Sequence, residues 1–254
     1  MKNRNTHILI TTSGFYLNDS VKKSIKLLSG AKATIQPIID GLAQTHNYIR
    51  GHTDAFERWQ SSFWLMRRDM SMISQVATVL INQKHSEIDE LCKLVKKLGI
   101  KTHRFGTLSN RGRAYKNNLK TAMQYKDLGR FIQKQRIKFG DDNYAIMASE
   151  ELSKSKEVNC GAGFRLYKIT PDFRLYPCAM MDYEIGDLNT YGLEELLEKS
   201  SNIFPTLDRP CSKVCGKCKF INLCRNCPSE GLVNRKHINT CKWFDYANSI
   251  LSIS

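Results

Sequence analysis

The sequence predicts an α/β protein, a parallel sheet of about four strands followed by a small cysteine-rich domain. Two observations carry this. Short apolar runs alternate with amphipathic helical stretches through the first part of the chain, the pattern of βαβ units with right-handed crossovers. Eight of the nine cysteines, Cys160, Cys178, Cys211, Cys215, Cys218, Cys224, Cys227 and Cys241, then crowd into the remainder. The boundary is placed near residue 155, giving domains 1–155 and 156–254.

His7 to Thr11 is a short apolar run ending in a polar turn and reads as the first strand. Asn18 and Asp19 can cap the following helix, whose Val21, Ile25 and Leu28 recur at helical spacing until Gly30 stops it. Residues 33–41 form a second strand, bulged or locally unpaired at Pro37, because proline lacks a ladder donor. Thr45 and Asp54 mark further helix starts, the longer helix running from Ala55 to about Arg68. Residues 72–80 are the third strand, 85–99 an amphipathic helix closed by Gly99, and 100–108 the fourth strand. Cys92, beside Leu91, Leu94 and Val95, reads as a small core residue. Residues 119–139 are helical and end at Gly140-Asp141-Asp142, after which a mixed polar stretch leads to Cys160.

Four strands cannot close a barrel, and the outer edge of the first strand has no visible partner, so something outside this sequence is expected to cover it. Ligands of such sheets gather at the carboxyl ends of the strands, here Thr12–Gly14, Asp40-Gly41, Asn82 and residues 106–113. In the second domain, residues 164–178 form a hairpin around Thr170-Pro171-Asp172, residues 186–199 a loop and helix, and the chain ends in a tail after Cys241.

A hydrophobic content of 41% suits a soluble globular protein, and no apolar run approaches the ~20 residues that span a membrane. The expected compartment is the cytoplasm, where thiols stay reduced, so the cysteine cluster is read as metal ligands rather than disulfides. The net charge of +15 raises nucleic acid or an acidic peptide as partners. Its diffuse spread from Lys22 to Lys242 favours a solvated surface instead.

C-x2-C spacing lets two thiolates face one metal centre from a tight turn, and both Cys215–Cys218 and Cys224–Cys227 have it. Five residues separate the pairs, fewer than the ~12 of a zinc ribbon. The run C-x2-C-x5-C-x2-C-P is closer to ferredoxin-like cluster binding, with a zinc-stabilised basic module that holds RNA or an acidic peptide as the alternative.

The order Cys160, PDFRLYPC ending at Cys178, the Cys215–Cys227 core and Cys241 resembles the seven-cysteine SPASM domain of peptide-modifying radical S-adenosylmethionine enzymes. TTSGFYLND, IIDGLAQTHNYIRG and IKTHRFGTLSNRGRA resemble the family's third, fourth and sixth barrel-strand segments. The resemblance implies a partial radical SAM (β/α) barrel followed by a SPASM domain. It implies one auxiliary [4Fe–4S] cluster on Cys215, Cys218, Cys224 and Cys241, and a second on Cys160, Cys178 and Cys227. The fourth position of the second falls to Cys211 or to an open iron. It also implies Asp40 at the nucleoside, the other reading of Asp40 being a turn residue before Gly41.

Departures from the family pattern are equally specific. The third and fourth core cysteines are two residues apart where the family has three, and Phe173 stands where the family has glycine. Ala179 replaces the aspartate that serves as base in sulfatase-maturing relatives; Asp182 and Tyr183 are near enough in sequence to substitute for it, the other reading being solvated loop residues, and His46, His52 and His103 read as structural. The C-x3-C-x2-C motif of the family is not among the 254 residues. Alone, the chain is therefore expected not to generate the radical, as a truncated gene product, a remnant, or a half-enzyme whose partner chain supplies the first strands and the radical cluster. S-adenosylmethionine would bind only with that segment supplied, and a peptide or protein is the implied substrate.

Overall fold

The computed structural model describes residues 8–15, 18–29, 33–70, 73, 75–108, 114, 116, 125–148, 160–224, 226–235 and 240–251. The chain divides into two compact units, Met1–Leu152 and Ser153–Ser254.

The first unit alternates strands and helices in the order β1 (Ile8–Thr12), α1 (Asp19–Ser29), β2 (Ala33–Pro37), α2 (Ala43–Arg50), α3 (Ala55–Met70), β3 (Gln75–Leu80), α4 (His85–Lys97), β4 (Thr102–Thr107), α5 (Tyr125–Phe139) and β5 (Ala145–Ala148). The strand ladders among the described residues are parallel: β1 with β2 from Ile8↔Ala33 to Thr12↔Pro37, β3 with β4 from Gln75↔Thr102, and β4 with β5 from Thr102↔Ala145. Isolated bridges Ile35↔Ile73 and Ile38↔Ala77 connect β2 to β3, so neighbours in sequence are neighbours in the layer. That is the order produced by successive right-handed crossovers.

Pro37 explains why the β2–β3 seam is reduced to bridges. The Ile38 amide donates to Thr12 on one side and the Ile39 amide to Ala77 on the other. By alternation the missing Pro37 donor faces β3, the side where the ladder is broken.

Asn18 caps α1 as its residue type predicts, its Oδ1 accepting the Val21 amide at 2.9 Å. The α2 helix starts at Ala43, two residues ahead of the expected Thr45. The strand β5 corrects the expectation of about four strands and of a polar stretch after Gly140. Ala145–Ala148 is too short to show a period, and its strand character comes from pairing with β4. Several expected features lie outside the described residues: His7, the Gly30 stop, Met72, residues 109–113, the helix start at 119–124 and the boundary near 155.

The core of this unit lies between the sheet and its helices. Trp59 and Phe63 of α3 stack at 5.2 Å, and Ile88, Leu91, Cys92 and Val95 of α4 meet Phe105 of β4 and Phe131 and Ile132 of α5. Cys92 is fully buried, and burial pushes its thiol up to about 12, as befits a core residue.

The second unit contains a small antiparallel sheet, β6 (Lys168–Ile169), β7 (Arg174–Tyr176) and β8 (Gly186–Asp187), in that order. The β6–β7 hairpin turns at Thr170–Phe173 as expected, whereas β8 falls in what reads as a loop, since two residues carry no pattern. Helices follow: α6 (Leu193–Ile203), a 3₁₀ turn (Phe204–Thr206), α7 (Ser212–Cys215), α8 (Ile221–Cys224), α9 (Pro228–Asn234) and α10 (Lys242–Leu251). Their core gathers Leu175, Met181, Leu196, Phe204, Leu207, Trp243 and Leu251. Trp243 ties α10 down by donating its indole N–H to the Asp208 carbonyl at 2.8 Å.

Gly163 is fixed in this core by its surroundings. Its φ is 79°, and a Cβ there would lie 2.2 Å from the Phe204 ring. Its carbonyl accepts hydrogen bonds from the Ser200 and Tyr167 hydroxyls. Gly163→Ala should therefore cost about 3 kcal/mol, combining a left-handed backbone with an overpacked ring, and should lower the urea midpoint of the purified protein.

Candidate functional site

Cys211, Cys215, Cys224, Cys227 and Cys241 of the second unit sit at helix ends. Cys211 is the N-cap of α7, with the Cys215 amide donating to its carbonyl at 2.8 Å. Gly216, at φ 59°, turns the chain from Cys215 toward Cys218, whose carbonyl accepts the Ile221 amide at the start of α8. Cys224 ends α8, and the Cys227 amide returns to its carbonyl at 2.8 Å. Asn226, at φ 55°, closes this two-residue spacing, in a conformation that asparagine tolerates better than most residues. Cys227 is then the N-cap of α9, with Pro228 at the first helical position. Cys241 precedes α10 and accepts the Asp245 amide at 3.0 Å.

Cys160 and Cys178 flank the hairpin, ahead of these helices in the chain. Gly161 and Gly163 turn the chain after Cys160, and the Gly163 amide donates to the Pro177 carbonyl at 2.9 Å, bringing this segment beside the residue before Cys178. The Met180 amide lies 3.4 Å from Cys178 Sγ, and the Ser229 hydroxyl, two residues after Cys227, donates to the Met180 carbonyl.

The thiols feel one another. Burial raises the pKa of Cys215, with further increments from the charges of Cys218, Cys241 and Cys211. Burial and the charges of Cys241, Cys215, Cys218 and Glu230 push Cys224 up to about 11. Burial also raises Cys227; the backbone N–H groups of Glu230 and Ser229 oppose it, and Glu230 and Cys160 add to it. Cys218 and Cys241 thus act on both Cys215 and Cys224, Cys211 on Cys215, and Cys160 on Cys227. Among the described residues, no group of three or more His, Cys, Asp or Glu is drawn together as for one metal ion. A four-iron cluster differs from one ion in that its thiolates bind separate iron atoms, and several thiols acting on one another, with N–H groups aimed at the sulfurs of Cys178 and Cys227, fit that donor chemistry.

Asp40 follows β2 in the first unit. Its Oδ1 accepts the Val79 amide at 3.1 Å and its Oδ2 meets Arg50 Nη2 at 2.5 Å, leaving the side chain 3% exposed. Burial raises its pKa, and Arg50 and the Val79 N–H oppose the rise. Its own amide donates to His46 Nδ1 at 3.1 Å, and its carbonyl accepts Gln83 Nε2 at 2.6 Å. His46 and Arg50 lie four residues apart on α2, so both reach back to one point. That spacing was the signal for Arg50, which the sequence reading did not single out. Asp40 thus joins the ends of β2 and β3 to α2.

A second polar chain crosses the interior. Thr78 Oγ1 donates to the Ile39 carbonyl at 2.5 Å and lies 2.8 Å from His103 Nε2, while His103 Nδ1 is 2.8 Å from the Tyr144 hydroxyl. His46 and His103 are both buried, in accord with the structural reading. His52 instead packs its ring 4.4 Å from Phe15. In the second unit, Asp182 is exposed and the Tyr183 hydroxyl donates to the Leu251 carbonyl at 3.2 Å.

This parallel α/β architecture recurs in solved structures. The chain superposes on anSMEcpe with bound AdoMet at a TM-score of 0.60, with 18% identity over 99% of this chain and 76% of that one. It superposes on Streptococcus suis SuiB bound to precursor peptide SuiA at 0.63, with 14% identity over 87% of this chain and 56% of that one. The protein is related to the radical SAM/SPASM enzymes that modify peptides. In sequence it is 24% identical over 254 residues to the antilisterial bacteriocin subtilosin biosynthesis protein AlbA of Bacillus subtilis (strain 168). That match covers 93% of this chain and 54% of AlbA, so the chain spans about half that relative's length. No family model matches the chain. Among the described residues no helix is long and apolar enough to cross a membrane.

The sign of the His46 shift gives a pH dependence. Burial and the Arg50 charge lower its pKa from 6.5 to about 4. The unfolded chain therefore binds the proton more readily, and the stabilisation is complete above pH 6.5 and lost as pH falls toward about 4. The loss should reach about 3 kcal/mol. His46→Gln, which keeps an acceptor for the Asp40 amide, should flatten this part of the profile in urea titrations at pH 7 and pH 4.

Proposed function

We propose that this chain is the cysteine-bearing portion of a radical SAM/SPASM oxidoreductase acting on a peptide or protein substrate. The reading is supported by the crowding of thiols that act on one another in one unit, Cys215 and Cys224 with Cys218 and Cys241, and Cys227 with Cys160, in a chain that superposes on anSMEcpe. Cys215, Cys218, Cys224 and Cys241 would hold one auxiliary [4Fe–4S] cluster, and Cys160, Cys178 and Cys227 a second. The fourth position of the second belongs to Cys211 or is left open on iron. Such clusters supply one-electron relay, and an open iron can also hold a substrate group.

The protein's own residues do the positioning. The Ser229, Glu230 and Met180 amides face Cys227 and Cys178 and would stabilise sulfur that carries negative charge. Asp40, Arg50 and His46 fix the end of the strand layer where ligands of parallel sheets bind. The 254 residues hold no C-x3-C-x2-C motif, so S-adenosylmethionine cleavage is assigned to whatever sequence carries it, in this polypeptide or in a partner chain completing the strand layer. Peptide substrates are consistent with the SuiA-bound structure of SuiB.

Protein purified without oxygen should be brown, absorb broadly near ~400 nm and carry about eight iron atoms per chain with matching sulfide. Cys224→Ala should remove about half of that iron, and Cys92→Ser none. Cys211→Ala decides the fourth position: altered absorption or iron content assigns the thiolate, and an unchanged spectrum assigns the open iron. Colourless protein with stoichiometric zinc would overturn the reading.

A further inference from the structure

Phe173 is an exposed aromatic residue held at φ 61°, a left-handed backbone that favours glycine. It is 58% exposed, so core packing does not account for the ring. Its carbonyl accepts the Leu188 amide at 2.9 Å, and the carbonyl of Asp172 accepts Asn189 Nδ2 at 3.3 Å. These bonds join the hairpin turn to the loop before α6. Exposed Ile169, Phe173, Tyr191 and Leu193 therefore lie on two segments at one end of the small sheet.

The charge around them runs against the rest of the chain. From residue 168 to 195 stand Asp172, Asp182, Glu184, Asp187, Glu194 and Glu195 against two bases, Lys168 and Arg174, in a protein of net charge +15. Arg174 is already paired, at 2.8 Å with Glu184 and 3.5 Å with Asp187. Asp172, Glu194 and Glu195 are exposed beside the apolar side chains.

We propose that this end of the sheet is a docking surface for a basic peptide segment that carries apolar anchors. Phe173 and its apolar neighbours take the anchor, and the rim carboxylates select lysine and arginine, an arrangement in which the ring supplies affinity and the charges supply selectivity and association rate. A peptide is chosen as occupant on the strength of the function proposed above; the surface itself requires no cluster and no radical chemistry. Nucleic acid is disfavoured at this end by the sign of its charge.

The test uses the anaerobically loaded full chain and a short fluorescein-labelled peptide of lysines with two leucines, read by fluorescence anisotropy. Control peptides carry serine in place of leucine, or glutamate in place of lysine. The lysine–leucine peptide should bind in a salt-sensitive manner, and both controls should bind about tenfold more weakly or worse. Phe173→Gly removes the ring while suiting the backbone, so its thermal midpoint should hold or rise while affinity falls about tenfold. The charge-reversed pair Glu194→Lys with Glu195→Lys should lose affinity and salt sensitivity. Unchanged affinity in Phe173→Gly, or equal binding of the serine peptide, would overturn the proposal. Concentration-dependent dimerisation abolished by Phe173→Gly would overturn it in favour of a second copy as occupant. Iron content of each variant, measured in parallel, separates loss of this surface from failure of the cluster reading.

Discussion

Holding many thiols close together is the constraint on which the cysteine-rich unit depends. Each thiolate raises the cost of ionising the next, and burial adds to that cost, as Cys215, Cys224 and Cys227 show. The fold answers locally by ending helices at sulfur. Cys211 and Cys227 are N-caps, and the amides of Ser229 and Glu230 hold Cys227 below where burial alone would place it. Metal would complete the compensation, since ligation removes each thiol proton.

The first unit meets a related problem differently. Asp40 is a buried carboxylate at the end of a strand, which is tolerable because Arg50 and the Val79 amide reach its two oxygens. The same residue holds His46 through its backbone amide, so one short helix is fastened to the sheet by two contacts four residues apart. The seam it spans is the one that Pro37 weakens. Thr78, His103 and Tyr144 extend the polar fastening from β3 and β4 toward the start of β5, and their partners keep buried polar atoms satisfied.

Phe173 connects the two kinds of reading. Its identity departs from a glycine pattern, and its left-handed backbone explains why glycine would suit that turn. The ring is retained at a conformational cost with little packing in return. Exposure of such a residue beside an acidic rim marks a surface that acts outside the fold.

By itself, the sequence determined the alternating α/β layout, the cap at Asn18, the interruption at Pro37, the burial of Cys92 and the thiolate spacing, because each rests on local periodicity or on the chemistry of a single residue. Tertiary structure decided what depends on distant partners. The strands β5 and β8 are too short to announce themselves and exist through pairing with β4 and β7. The approach of Cys160 to Cys227 follows from how distant segments of the unit fold back on one another, which no spacing along the chain specifies. Asp40 reads equally well from sequence as a turn residue or a ligand contact, and its ion pair with Arg50 and bond from the Val79 amide come only with the assembled unit, since burial and ion pairing are tertiary properties.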